Sequence, residues 1–178
     1  MRGTSELRPA LRLVRSADAD PVEFTWFCGH CAAPSRGEQP PSPMARVCRS
    51  CGLGVMLEAR TDIVPSARDA FLVIDSSLLV QAMSRRAETL LGVTEDSAVN
   101  RPVVQLLVPA DAEAGRSARF AAALVEAAAG ADEPANAFVR PWNTFGVRLR
   151  AKIASCGPPR AALVVLEDHQ ARPLRVVR

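Results

Sequence analysis

The sequence predicts an α+β protein with two parts: a small cysteine-held segment near the N-terminus and a larger antiparallel sheet with helices on one face. Three observations carry this. Four cysteines fall in two close pairs, C-x2-C-x16-C-x2-C, from Cys28 to Cys51. The apolar run Ala70-Phe71-Leu72-Val73-Ile74 stops at Asp75-Ser76-Ser77 and resumes as Leu78-Leu79-Val80, the pattern of two strands joined by a tight polar turn. Finally, Val147, Leu149, Ala151 and Ile153 alternate with Arg148, Arg150 and Lys152, as in a strand with one wet face.

Composition sets the outer limits. A chain of 178 residues that is 48% hydrophobic suffices for one domain plus a small accessory unit. No apolar run approaches the ~20 residues that span a bilayer. Met1 to Arg15 lacks the apolar stretch of a signal peptide, so a cytoplasmic protein without membrane contact is expected. Of the 22 Lys and Arg residues only Lys152 is lysine, and alanine is abundant, a bias of GC-rich coding that points to a bacterial source. The formal charge of +3 divides into 0 over 1–27, +2 over 28–60, −2 over 61–168 and +3 over 169–178. No segment is strongly basic, and metal-bound thiolates would lower the total further, so charge does not indicate nucleic acid.

Residues 1–23 place Leu7, Leu11 and Val14 on one helical face, with Arg8, Arg12 and Arg15 beside them and Ser5 as a cap. The segment is either a short amphipathic helix that needs a partner surface or a frayed terminus.

The cysteine pairs dominate residues 24–60. A two-residue gap lets both sulfurs of a knuckle reach one ion while backbone N–H groups point at them, and the long loop brings the second pair opposite. Cys28, Cys31, Cys48 and Cys51 then complete a tetrahedron. Gly52 and Gly54 suit the chain reversal, and the flanking apolar runs suit strands. The segment is similar to a zinc ribbon, which implies one structural Zn2+. The competing readings are two disulfides, which a reducing cytoplasm disfavours, a redox dithiol, for which one pair suffices, and a rubredoxin-type iron site. With four thiolates present, His30 reads as an exposed bystander, and no coordination position is left for a catalytic water.

Residues 61–67, with Pro65-Ser66, read as a linker about which the two units pivot. After the hairpin, Ser84 caps a helix over Arg85 to Leu91 that Gly92 stops, and Ala87, Leu90 and Leu91 face the hairpin. Asp111 caps a longer alanine-rich helix over 112–129, whose stripe is Phe120, Leu124 and Ala128. Strands follow at 136–141, 145–155 and 161–167, with a Gly157-Pro158-Pro159 turn, and residues 169–178 form a basic tail.

Four features stand in order: the strand ending at Asp75, the second strand, Ser84-x3-Glu88-x-Leu90-Leu91-Gly92, and Arg101-Pro102 before Val103-Val104-Gln105-Leu106-Leu107. In this, residues 68–168 resemble a PAS domain. The resemblance implies a five-stranded antiparallel sheet with helices on one face, used for ligand sensing or protein contacts. It also implies that a leading helix packs on a partner subunit, hence a homodimer. A cavity lined by Leu72, Ile74, Leu91, Leu106, Phe120, Leu124, Val147, Leu149 and Val165 is expected. LOV-type flavin needs Asn-Cys-Arg near Asn100-Arg101-Pro102, where the cysteine is missing. Oxygen-sensing haem needs a histidine on the long helix, and 112–129 has none. A colourless protein with an empty or apolar-filled pocket is therefore expected.

The remaining chemistry is sparse. Cys156 is an odd thiol with no base nearby in sequence. Trp142 and Phe145 read as packing residues, and the Arg148/Arg150/Lys152 row as a solvated face. No nucleotide loop, nucleophile triad or carboxylate pair at catalytic spacing is present, so no enzymatic role is expected. The function expected is a signalling or regulatory protein whose PAS-like part senses a small ligand or dimerises and whose zinc ribbon docks another protein. The alternative is a transcription-linked nucleic-acid binder, which requires Arg36, Arg46, Arg49 and Arg60 to form one face.

Overall fold

A computed structural model describes residues 22–35, 41–42, 46–110 and 115–168. The segment around Leu7, Leu11 and Val14, the Asp111 cap and the basic tail lie outside these residues.

The central hairpin forms where the apolar run predicts it. β3 (Ala70–Ile74) pairs antiparallel with β4 (Val80–Met83). Between them Asp75 Oδ1 accepts the N–H groups of Ser77 (2.8 Å) and Leu79 (3.0 Å), which closes the turn and delays the second strand to Val80. α1 (Arg85–Leu91) starts at Ser84, whose Oγ accepts the Ala87 N–H at 3.2 Å, and stops at Gly92 in the left-handed conformation, φ 67°. Ser84 is buried and also accepts the Phe71 N–H and donates to Asp69 O, so one hydroxyl ties helix to hairpin.

α2 (Glu95–Ala98) and a single 3-10 turn (Val103–Gln105) lead to β5 (Leu107–Pro109). α3 (Arg116–Ala129) follows, and Phe120, Leu124, Ala127 and Ala128 bury its apolar side. β6 (Ala135–Pro141), β7 (Leu149–Gly157) and β8 (Ala161–Asp168) complete the order. The predicted strand from 145 starts instead at Leu149.

The five-stranded antiparallel sheet with helices on one face is present as β4-β3-β8-β7-β6. The strand count needs correction, because the whole sheet has eight strands. β5 pairs with β6, and the cysteine segment adds β1 (Phe24–Cys28) and β2 (Met56–Arg60). β2 joins β7 through Glu58↔Gly157 and Ala59↔Cys156, on the edge that β6 occupies along Leu149 to Ile153. From there the β1–β2 hairpin curls over the face opposite the helices.

Two cores result. The helix side holds Leu72, Ile74, Met83, Leu124, Leu149, Ile153 and Val164 among others. The opposite side holds Phe27, Leu57 and Ala59 from the hairpin against Phe71, Val73, Cys156 and Leu163. Phe27 meets Phe71 edge to face, centroids 6.1 Å apart. Burying one such ring contributes roughly 2–3 kcal/mol.

Residues 61–67, expected as a linker, are packed against their neighbours. Thr61 N–H bonds to Glu23 O at 2.9 Å, Ile63 is buried in the second core, and Ser66 N–H bonds to Asp69 Oδ2 at 2.7 Å. This segment is a packed connection, with the Ile63 and Val64 N–H groups both bonded to Arg60 O.

Candidate metal centre

Two knuckles of matching geometry carry the four cysteines. In the first, Cys28 ends β1, and its Sγ accepts the N–H groups of His30 and Cys31, each at 3.4 Å. In the second, Ser50 N–H reaches Cys48 Sγ at 3.3 Å and Gly54 N–H reaches Cys51 Sγ at 3.4 Å. The residue four places after each leading cysteine turns left-handed, Ala32 at φ 58° and Gly52 at φ 70°. Its N–H closes on that cysteine's carbonyl at 3.0 Å and 2.8 Å respectively. Gly54 lies where the knuckles meet. A Cβ there would collide with Cys28 Sγ and come within 2.7 Å of His30 Cβ, so no other residue fits without displacing a knuckle.

The four sulfurs all lie within 4.8 Å of one another. Cys28 to Cys51 measures 3.7 Å and Cys31 to Cys48 measures 3.8 Å. A tetrahedral ion with metal–sulfur bonds of about 2.3 Å spaces its sulfurs about 3.8 Å apart, so the cluster has the size of a closed S4 site. All five described cysteines are free thiols, which the disulfide reading does not match. The set is soft and all-sulfur, a donor set that suits zinc or an iron centre.

Protonation differs across the cluster. Burial pushes the Cys28 thiol up strongly, although the N–H groups of Cys31 and His30 oppose it. Burial likewise raises Cys31. Burial also acts to raise Cys51, but hydrogen bonds from the N–H groups of Gly54 and Leu53, and then from Cys31 and Cys28, bring it down to about 6. Backbone donors that stabilise a thiolate are what a metal-binding knuckle needs.

His30 is not the exposed bystander expected. Its side chain is 13% exposed, and Nδ1 donates to Glu95 Oε2 at 2.7 Å. Glu95 Oε1 accepts the Met83 N–H at 2.9 Å, and the Glu95 N–H donates to Glu88 Oε1 at 2.7 Å. This link was missed because its partners stand 65 residues apart, with no local pattern to join them. Beside it, a groove of about 480 Å³ runs between the knuckles and the hairpin-side face of the sheet, with Leu57, Val73 and Ala82 among its lining residues.

The nine residues assigned to a cavity do not share one compartment. Leu72, Ile74, Leu91, Leu106, Phe120, Leu124 and Leu149 are buried in the helix-side core, and Val147 packs on its margin. Val165 lies in the opposite core, because alternation along β8 turns Ala162, Val164 and Leu166 toward the helices and Val165 away.

Trp142 and Phe145 are also corrected. They are 62% and 84% exposed, although the Trp142 N–H bonds to Leu106 O at 2.9 Å at the end of the β5–β6 pair. Phe145 instead lies 4.9 Å from the Arg140 guanidinium.

Of the arginines proposed for nucleic acid, Arg46 and Arg60 stand at opposite ends of β2. Arg46 donates to Pro158 O, and its backbone carbonyl accepts from Met56 at the start of β2. Arg60, at the far end of β2, clamps Asp62 and donates to Asp132 O. Arg36 lies outside the described residues. On the sheet, Arg150 is exposed and Lys152 half-buried beside Glu167, while the next residues on that face, Ala154 and Cys156, lie under the β1–β2 hairpin.

No protein-family model and no curated protein matches the chain. Among solved structures it is similar to a PAS domain from Colwellia psychrerythraea, at 18% identity over 58% of this chain and 88% of that one, TM-score 0.46. The PAS domain of nitrogen regulation protein NR(II) from Vibrio parahaemolyticus matches at 16% identity over 56% and 88%, TM-score 0.41. The PAS domain of the Cronobacter turicensis RpfR quorum-sensing receptor, in complex with BDSF, matches at 11% identity over 61% and 100%, TM-score 0.46. No helix among the described residues is long and apolar enough to cross a membrane.

Proposed function

We propose that this chain is a non-catalytic cytoplasmic signalling protein in which a PAS-type sheet carries a structural zinc site, and the zinc knuckles dock another protein. The observation that carries the reading is the second knuckle. Beside a cysteine set of tetrahedral size, it holds Val47, Leu53 and Val55 in solvent, Leu53 at 74% exposure. Apolar side chains fixed on a rigid metal-bound turn make an interaction surface at little entropic cost. Arg46 and Arg60, engaged at opposite ends of β2, favour a protein over a nucleic acid as the occupant. Self-association, through the N-terminal segment or the uncovered part of the sheet, belongs to the same reading, as does a sensing role for the helix-side core.

Affinity purification from the native cell with the full-length chain and with Leu53→Asp tests it. The expected result is a protein retained by the first, lost with the second and indifferent to nuclease, with light scattering reporting a dimer. A complex destroyed by nuclease or weakening steeply with salt would replace protein docking by nucleic-acid binding.

A further inference from the structure

We infer that Glu95 couples occupancy of the four-cysteine centre to the order of β4 and α2, so that gain or loss of the ion is felt at the far edge of the sheet. The inference rests on the reading that the cysteines hold a metal.

Three connections make the path continuous. The His30 N–H points at Cys28 Sγ, so the sulfur that would bind the ion also sets the turn from which the imidazole projects. The imidazole reaches across the groove to Glu95 Oε2. The other oxygen of the same carboxylate caps the Met83 N–H on β4, which is the last strand of the sheet, while the Glu95 N–H holds Glu88 of α1. Glu95 thus joins a knuckle, an edge strand and two short helices, and its side chain is only 22% exposed.

With no ion, the four sulfur groups within 4.8 Å of one another lose the bonds to a shared centre, and the knuckles are left with hydrogen bonds such as Gly29 N–H to Val55 O at 2.9 Å. The knuckle turn then relaxes, His30 leaves, and Glu95 exchanges its place over Met83 for solvent. The result is a local opening of β4 and α2 with the central strands intact. Linkage requires the reverse as well: removing the His30–Glu95 contact must weaken metal binding by the factor by which metal tightens it.

The test uses the full-length protein with its metal content measured, and hydrogen exchange at Met83 and Glu95 with Ile153 in β7 as the control. Chelation of the metal is expected to speed exchange at Met83 and Glu95 by about tenfold and leave Ile153 unchanged. In metal-loaded His30→Ala the two amides are expected to be fast already, with chelation adding less than about twofold, and His30→Gln, which keeps a donor for Glu95, to restore protection. Zinc affinity by chelator competition should fall about tenfold, ~1.4 kcal/mol, in His30→Ala and in Glu95→Ala, and no further in the double variant. Met83 exchange indifferent to chelation of bound metal, or additive losses in the double variant, would overturn the coupling alone. A chain that binds no metal would overturn the coupling and the reading beneath it together.

Discussion

At the scale of single residues, Cys156 shows what the hairpin does to the sheet. It pairs with Ala59 of β2 and is buried, and burial pushes its thiol from 9.0 up to about 12. Because the folded value is the higher one, the protonated thiol's contribution to stability is complete below about pH 9 and is lost as pH rises toward 12. We expect the chemical-denaturation stability of metal-loaded protein to fall by about 2 kcal/mol more between pH 8 and pH 10.5 than that of Cys156→Ala, at ~1.36 kcal/mol per pH decade. Equal alkaline losses in the two proteins would show that Cys156 is hydrated. Residues whose role depends on near neighbours were legible: the cysteine spacing, Ser84 as a cap and Gly92 as a stop act within a few positions. His30 was not, since a glutamate far along the chain decides its role.

At the scale of elements, the point of interest is why the cysteine hairpin is a part of the sheet. The run Ala70–Ile74 is buried at all five positions, and 161–166 is buried throughout. A strand with one wet face alternates, and an unbroken apolar run marks one covered on both faces. That signal was present, and it called for a cover on the side away from the helices. What the chain did not disclose locally was which segment supplies the cover, because Glu58↔Gly157 and Ala59↔Cys156 join distant positions. Val165 was misplaced for the same reason: in an unbroken run either parity can face the helices. If the hairpin is integral, Phe27→Ala leaves a cavity against Phe71 costing about 3–5 kcal/mol. Denaturant should then unfold the variant in one transition at a lower midpoint. Two transitions, with only the first displaced, would mean that the hairpin folds independently.

At the scale of the whole molecule, the helix-side core and the hairpin-side core share the strands β3, β7 and β8, so an ion held at the end of β1 would support both faces of one sheet. Polar groups that reach between the two regions, among them His30 to Glu95, Arg46 to Pro158 and Arg60 to Asp132, add direction to a packing that is mainly apolar. Everything proposed for function depends on the four cysteines closing around one ion. X-ray absorption at the metal edge of full-length protein purified under reducing conditions reads that arrangement directly. The account predicts one metal per chain surrounded by four sulfurs at about 2.3 Å. A chain without bound metal, or an ion with nitrogen or oxygen in its first shell, would contradict it.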